Sequence, residues 1–370
     1  MGNQRELPTI VRGALKKALK FTARALAFLA ALLVLDYLAM ATLFSGMKRG
    51  WNAAYEANLR AYVGAPYHHD LKPNEKSIRI WGKERFSWQT DQYGFRTGEC
   101  APGETEKDRK AIFVIGDSFV EALGSSYERS FVGLMACDAA RQGKAVWNLG
   151  VASYSPIIYY RKIRAAAEKL GIKPAEIFVF LDPSDIDDDA NVYRVGDDGT
   201  VVFANPATPV KVPFDLGQFA IDNLATARLL YGLYLASTLS QSNSLGRDRA
   251  RWTFDPALLE KWGKRGLEAA AGNLDKIVAL CHDWQCRMTL VVYPWPDHVA
   301  AHDRDSIQVR YWRDWAARRD VRFIDGFAPF FHDPADQVLA KYFLAGDVHF
   351  TEAGNRLFYE ELRKAVGGDW

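Results

Sequence analysis

Residues 111–118 read AIFVIGDS and decide the fold of this 370-residue chain. An apolar run of strand length ends at Gly116, and the apolar residues of 119–140 recur at helical spacing, which predicts a buried strand turning directly into a helix. Ser118 then lies at the carboxyl edge of a sheet, where open α/β sheets carry their chemistry. The N–H groups of a helix start favour negative charge, so Ser118 is a candidate nucleophile. The alternative is that Asp117-Ser118 only caps the helix.

A block near the C-terminus contains the partners that a serine nucleophile needs. Residues 346–355 read GDVHFTEAGN and lead into an amphipathic helix predicted over 352–366. A serine hydroxyl needs a base near neutrality, and an imidazole needs an acceptor that fixes its tautomer. Among the seven histidines, His349 combines a close upstream acid, Asp347, with a loop that opens a helix. The alternative is an N-cap beside an incidental histidine.

Strands that alternate with helices predict an α/β architecture with a five-stranded parallel sheet. A stretch of about 190–255 lies between the third and fourth strands and is too long for a simple crossover. It contains an apolar helix predicted over 214–239, which could pack on the domain, contact the membrane surface or meet a partner. The predicted strands are Ala111–Ile115, Ala145–Leu149, Ile177–Leu181, Met288–Tyr293 and Val321–Asp325.

These blocks resemble those of the SGNH (GDSL-type) hydrolase family. Residues 116–118 (GDS) match its first block, Gly150 after the second strand fits its second, and the C-terminal Asp-x-His precedes a helix as in its last. The stretch QYGFR at 92–96 resembles a segment that precedes the first block in many relatives. The resemblance covers roughly 90–190 and 285–366. It implies a three-layer, flavodoxin-like fold and hydrolysis of esters.

The resemblance also implies a role for each site residue. Ser118 would attack, His349 would act as base and Asp347 would orient the imidazole. The backbone N–H groups of Ser118 and Gly150 would stabilise the oxyanion. We assign Asp117 to the same site.

Two departures from the family pattern concern the oxyanion site and the acid. Ser184 stands where the family has an oxyanion-binding Asn, and Asp347 precedes His349 by two residues instead of three. Five acids between Asp182 and Asp189 suggest a hard-cation site or a solvated, capped loop; we favour the loop and predict neither a metal nor a cofactor. In the loop after the fourth strand, Trp295 and His298 could contact a sugar, or the loop could simply be rigid.

The N-terminus predicts export. Residues 1–24 carry six Lys and Arg against one acid, and 25–47 is almost wholly apolar apart from Asp36. This pattern favours a basic cytoplasmic leader and a single-pass inner-membrane or plasma-membrane anchor, with the rest of the chain on the periplasmic or extracellular side. A cleaved signal peptide is the competing interpretation. Residues 48–104 would then be a juxtamembrane segment, and 105–370 the hydrolase-like domain.

Composition excludes some partners. A net charge of +2 without a basic stripe beyond the leader gives no nucleic-acid signature.

Four cysteines in an exported chain permit disulfides: Cys281 and Cys286 are close enough in sequence for a small loop, while Cys100 and Cys137 could pair only if the fold brings them together.

Three functions follow from these observations. The first is a serine esterase that removes acyl groups from an exported glycan or glycolipid. The second is an O-acyltransferase for a cell-envelope polysaccharide, which uses the same residues beside a multi-spanning membrane acyltransferase. The third, prompted by the missing Asn, is a non-catalytic glycan-binding module on a degenerate fold.

Overall fold

The computed structural model describes residues 9–43, 67–81, 84–103, 110–204, 220, 223–230 and 248–370. Contacts divide the chain into two units. One consists of Met1–Asn58 and Val210–Thr238, and the other of Leu59–Pro209 and Leu239–Trp370. Of the helix predicted over 214–239, only residues 220 and 223–230 are among those described.

The strands form a parallel sheet and two antiparallel hairpins. The strands are β1 (Lys76–Trp81), β2 (Glu84–Gln89), β3 (Lys110–Ile115), β4 (Lys144–Asn148), β5 (Glu176–Leu181), β6 (Tyr193–Val195), β7 (Val201–Phe203), β8 (Arg287–Val292) and β9 (Arg322–Asp325). The parallel sheet has the order β4-β3-β5-β8-β9, so the chain moves outward from β3 first to one side and then to the other. The predicted α/β class and five-stranded parallel sheet are confirmed, with each strand within one residue of its predicted ends.

Helices cover both faces of this sheet and make three layers. The α-helices are α1 (Thr9–Thr42), α2 (Ser118–Glu121), α3 (Phe131–Arg141), α4 (Pro156–Leu170), α5 (Pro183–Asp187), α6 (Asp248–Arg251), α7 (Pro256–Leu258), α8 (Lys264–Trp284), α9 (Pro296–Ala300), α10 (Ile307–Ala317), α11 (Ala335–Tyr342) and α12 (Glu352–Ala365). Successive β3 side chains alternate between two cores. Phe113 belongs to the core that α4, α8 and α10 cover, and Val114 belongs to the core that α3, α11 and α12 cover.

The helix predicted over 119–140 is two helices, and this part of the prediction is wrong. α2 ends after one turn because Ala122 adopts a left-handed conformation (φ 66°). The chain restarts as α3 at Ser130, whose hydroxyl accepts the Gly133 N–H at 3.1 Å and caps the new helix. A left-handed alanine carries no sequence signal, whereas the apolar spacing continues through the break.

The hairpin β1–β2 lies within the same unit as the parallel sheet. Arg96, the arginine of the QYGFR stretch, is buried and donates to backbone carbonyls on both sides: Ser87 and Gln89 of β2, and Glu121 and Ser125 around the end of α2. A buried guanidinium that donates to this many carbonyls fixes the relative positions of the segments that carry them. Arg96 therefore holds the hairpin against the helix that begins at Ser118.

The long helix α1 belongs to the other unit. Its segment Lys17–Thr42, 26 residues long, is apolar enough to cross a membrane, a property that a signal sequence shares. Within that unit the Asp36 carboxylate accepts the Thr226 N–H at 3.1 Å. The acid that interrupts the apolar segment thus has a backbone donor from residues 223–230.

Candidate active site

Ser118, His349 and Asp347 meet at the carboxyl edge of the sheet. Ser118 is the first residue of α2, directly after the turn that follows β3. Its Oγ lies 2.8 Å from His349 Nε2, and His349 Nδ1 is hydrogen-bonded to Asp347 Oδ1. The structure therefore places the three side chains in one hydrogen-bonded chain of hydroxyl, imidazole and carboxylate. Ser118 is 9% exposed and His349 5% exposed.

A tight loop holds the acid and the imidazole two residues apart. Leu344 N–H donates to the His349 carbonyl at 2.9 Å, and Gly346 makes the turn with a φ of 72°. Asp347 Oδ1 also accepts the backbone N–H of His349 at 2.9 Å. A spacing of two residues between Asp347 and His349 is thus compatible with contact between their side chains, because one carboxylate oxygen bonds both the ring and the backbone N–H of the histidine.

Trp81, at the end of β1, is a site residue that sequence reasoning missed. Its indole N–H donates to Asp347 Oδ2 at 3.1 Å, and its ring lies edge-on to the His349 ring with centroids 5.4 Å apart. Burial alone would raise the pKa of Asp347, but its bonds to His349 and Trp81 and the charge of His349 hold that pKa below the ordinary value. Residues 48–100 are rich in aromatic side chains, but nothing in their spacing indicates that one of them contacts Asp347.

Two of the three expected oxyanion donors have other partners in this structure. Gly150 N–H donates to the Asn148 side chain at 2.9 Å, and Ser184 Oγ donates to Asp182 Oδ1 at 2.8 Å. Gly150 still has a steric reason to be glycine, since a Cβ there would lie 2.4 Å from the Val120 side chain. Ser118 N–H lies in the first turn of α2, where helical N–H groups have no intrahelical acceptor. An oxyanion at Ser118 would therefore meet this N–H first.

Buried carboxyl groups cluster at Asp117, next to the serine. The interpretation of the acids between Asp182 and Asp189 as a solvated loop is therefore wrong for Asp182, Asp185, Asp188 and Asp189, which are buried. Asp117, Asp182 and Asp185 each place an oxygen within 4.8 Å of the others, an arrangement that could hold a metal ion. Asp117 caps α2 by accepting the Phe119 N–H at 3.1 Å. Burial and the neighbouring Asp182 raise the pKa of Asp117 well above its usual range. These acids occupy the crevice between β3 and β5, where the strand order reverses.

The structure places Trp295 and His298 in the interior. Trp295 is 3% exposed and its indole N–H donates to Asp182 Oδ2 at 2.9 Å. His298 is fully buried, and burial lowers its pKa to about 3. In this conformation neither ring offers a face on which a sugar could stack. Trp295 instead supports the acid cluster beneath Ser118.

No protein-family model matches the sequence, and no curated protein matches it either. Three solved structures illustrate what the fold is similar to. A GDSL-family lipolytic protein from Veillonella parvula is 17% identical, with 69% of this chain and 96% of that chain covered and a TM-score of 0.37. A GDSL-like lipase from Bacteroides thetaiotaomicron is 12% identical (72% and 90% covered, TM-score 0.36). A catalytic mutant of an acetylxylan esterase from Geobacillus stearothermophilus is 15% identical (70% and 95% covered, TM-score 0.37). Two of these three proteins are described as GDSL-type lipolytic proteins and the third as an acetylxylan esterase.

Proposed function

We propose that this chain is a serine esterase whose nucleophile, base and orienting acid are Ser118, His349 and Asp347. The observation that carries the proposal is the 2.8 Å contact between Ser118 Oγ and His349 Nε2, continued through Nδ1 to Asp347. A non-catalytic module has no need for a serine, an imidazole and a carboxylate hydrogen-bonded in this order.

The geometry supports an acyl-enzyme mechanism. Ser118 Oγ attacks the acyl carbonyl carbon while its proton passes to His349 Nε2, and Asp347 stabilises the imidazolium that forms. The Ser118 N–H bonds the oxyanion. His349 then gives the proton to the departing alcohol oxygen, which leaves the acyl group on Ser118. Water, deprotonated by the same imidazole, releases the acid and restores the serine.

We further propose that the substrate is an acyl ester of a glycan or glycolipid outside the cytoplasm. Support for export comes from the segment Lys17–Thr42 of α1, which is long and apolar enough to span a membrane. The basic residues of 1–24 favour a cytoplasmic N-terminus. Both cysteine pairs, Cys100–Cys137 and Cys281–Cys286, form disulfides, which persist in oxidising compartments. An anchored esterase of this kind would act on esters at the membrane surface or in the envelope.

The test of this proposal is acetate release from acetylated oligosaccharides by the full chain in detergent, compared with Ser118→Ala. We expect Ser118→Ala to lose at least about 10³-fold in kcat/KM. Adding an unacetylated oligosaccharide separates the two reactions: acetate release supports hydrolysis, whereas acetylated acceptor supports transfer, with a membrane acyltransferase as the donor-supplying partner. Full activity in Ser118→Ala would refute both.

A further inference from the structure

The hydroxyl of Ser118 lies between two acceptors. His349 Nε2 is 2.8 Å from Oγ, and Asp117 Oδ2 is 3.1 Å from the same oxygen. A serine has one hydrogen to donate, so these groups compete for it. An ionised carboxylate would be the stronger acceptor, because hydrogen bonds to charged groups are roughly twice as strong as neutral ones. Such a bond would turn the serine proton away from its base.

The state of Asp117 depends on its neighbour. One oxygen of its carboxyl lies within 4.8 Å of an oxygen of Asp182 and of an oxygen of Asp185, and all three groups are buried. Burial and mutual repulsion oppose the ionisation of all three carboxyls, so the cluster should hold at least one proton. The question is therefore whether Asp117 carries one.

Donors around Asp117 and Asp182 favour negative charge on Asp182. Its Oδ1 accepts Ser184 N–H at 2.7 Å, Ser184 Oγ–H at 2.8 Å and Asp185 N–H at 3.2 Å, and its Oδ2 accepts the Trp295 indole at 2.9 Å. Asp117 has fewer donors: apart from the Ser118 hydroxyl itself, these are Phe119 N–H at 3.1 Å and the Tyr293 hydroxyl at 3.4 Å.

The other charged groups that act on Asp117 do not reverse this assignment. Asp185 is a further buried acid in the cluster, which opposes a second negative charge there. Arg249 of α6 is a cation that attracts these acids electrostatically. Its guanidinium pairs, however, with Asp187 at 3.3 Å and with Asp188 at 2.7 Å. The imidazole of His349 stands on the far side of Ser118 and is paired with Asp347.

We propose that Asp117 is a neutral acid in the resting site, so that the Ser118 hydrogen goes to His349 and no charge on Asp117 opposes the oxyanion. This inference rests on the proposed esterase function. It gives the Asp of the Gly-Asp-Ser turn a catalytic role besides capping, since its carboxyl touches the reacting oxygen. The high pKa of Asp117 is consistent with this state.

Asp117→Asn and Asp347→Asn make a matched pair of charge-removing substitutions on either side of the serine and histidine. An asparagine amide reproduces a neutral acid: its oxygen can accept from Phe119, and its NH₂ can donate to Asp182. We therefore expect Asp117→Asn to lower kcat/KM by about 5-fold at neutral pH, because the amide reproduces the shape and charge of the neutral acid but not its proton. Asp347→Asn, which removes an ionised partner, should lose about 10⁴-fold. Equal losses in the two variants would overturn the proposal.

Infrared spectroscopy tests the protonation state without using activity. At about pH 8, Asp188 and Asp189, whose pKa values burial raises to about 7 and about 6, are largely ionised. We expect a protonated-carboxyl band in the wild type that weakens in Asp117→Asn. In Asp185→Asn a band from Asp117 should remain. This second variant tests the inference even if Asp117→Asn does not fold. Absence of the band in Asp185→Asn, or an unchanged band in Asp117→Asn, would overturn the inference.

The same experiments separate this inference from the proposed function. If Ser118→Ala remained fully active, the esterase mechanism would fail while the infrared band still reported on Asp117. If calcium or magnesium removed the band and raised the melting temperature of the wild type but not of Asp117→Asn, the cluster would be a cation site and the neutral-acid assignment would be wrong.

Discussion

Substitution of Trp81 by phenylalanine measures one hydrogen bond that supports the base. The change removes the indole N–H that lies 3.1 Å from Asp347 Oδ2 and keeps an aromatic ring beside His349. Hydrogen bonds to charged groups contribute about 1.5–3 kcal/mol. The Asp347 side chain is 26% exposed, so water can replace part of the bond, and we take the lower end. We therefore expect Trp81→Phe to lose about 1.4 kcal/mol of transition-state stabilisation, which corresponds to roughly a tenfold lower rate.

The expected loss lies in kcat rather than KM, because Trp81 acts by holding Asp347 against the imidazole. The assay is steady-state hydrolysis of a short-chain aryl ester by the full chain in detergent. Trp88→Phe in β2 of the same hairpin is the matched control, since the Trp88 indole nitrogen is buried without a hydrogen-bond partner among the described residues. It should lower the melting temperature and leave kcat nearly unchanged. Wild-type kcat in Trp81→Phe, or equal losses in both variants, would refute the reasoning.

Further predictions concern stability. Asn148→Ala removes the acceptor of Gly150 N–H and should lower the free energy of unfolding in urea by about 1–3 kcal/mol; an unchanged midpoint would contradict this role. Burial raises the pKa of Asp189 to about 6, so the stability that its protonation contributes is present below the unfolded pKa and is lost as pH rises through about 6. Unfolding measured between about pH 4 and 7 should show the wild type losing about 3 kcal/mol more than Asp189→Asn, in which Asp188 still titrates; equal losses would contradict this. Cys100→Ser removes the disulfide to Cys137, which closes a loop of 37 residues, and should lower the free energy of unfolding by about 4 kcal/mol. An unchanged free energy of unfolding in non-reducing urea would contradict the bridge.

The parallel sheet could be predicted from the sequence because each strand is a short apolar run bounded by turn residues. The same local signals located Ser118 at a strand end and His349 at a helix start. Parallel strands bring their carboxyl ends to one edge, so the two residues, 231 positions apart, could be expected to meet there. The hypothesis that they act together as nucleophile and base rested on the chemistry of a serine that needs a base and on the resemblance of both blocks to one family.

Other features depend on contacts that no local pattern records. Trp81 reaches Asp347 across 266 residues, and the hairpin that carries it is placed by the buried Arg96. Trp295 and His298 follow a sheet strand as substrate residues would, yet the loop turns inward and buries both. Sequence spacing shows that a residue is near an edge; only tertiary packing decides whether its side chain faces solvent or the core.

The central claim is that Ser118 is a nucleophile activated by His349, and covalent labelling tests it most directly. The full chain in detergent is treated with a fluorophosphonate, a reagent that phosphonylates activated serines, and the adduct is located by peptide mass spectrometry. The account predicts one adduct on Ser118 in the wild type, none in Ser118→Ala, and labelling of His349→Ala slower by at least about 10³-fold. Labelling at another residue, or equal rates in the wild type and His349→Ala, would contradict it.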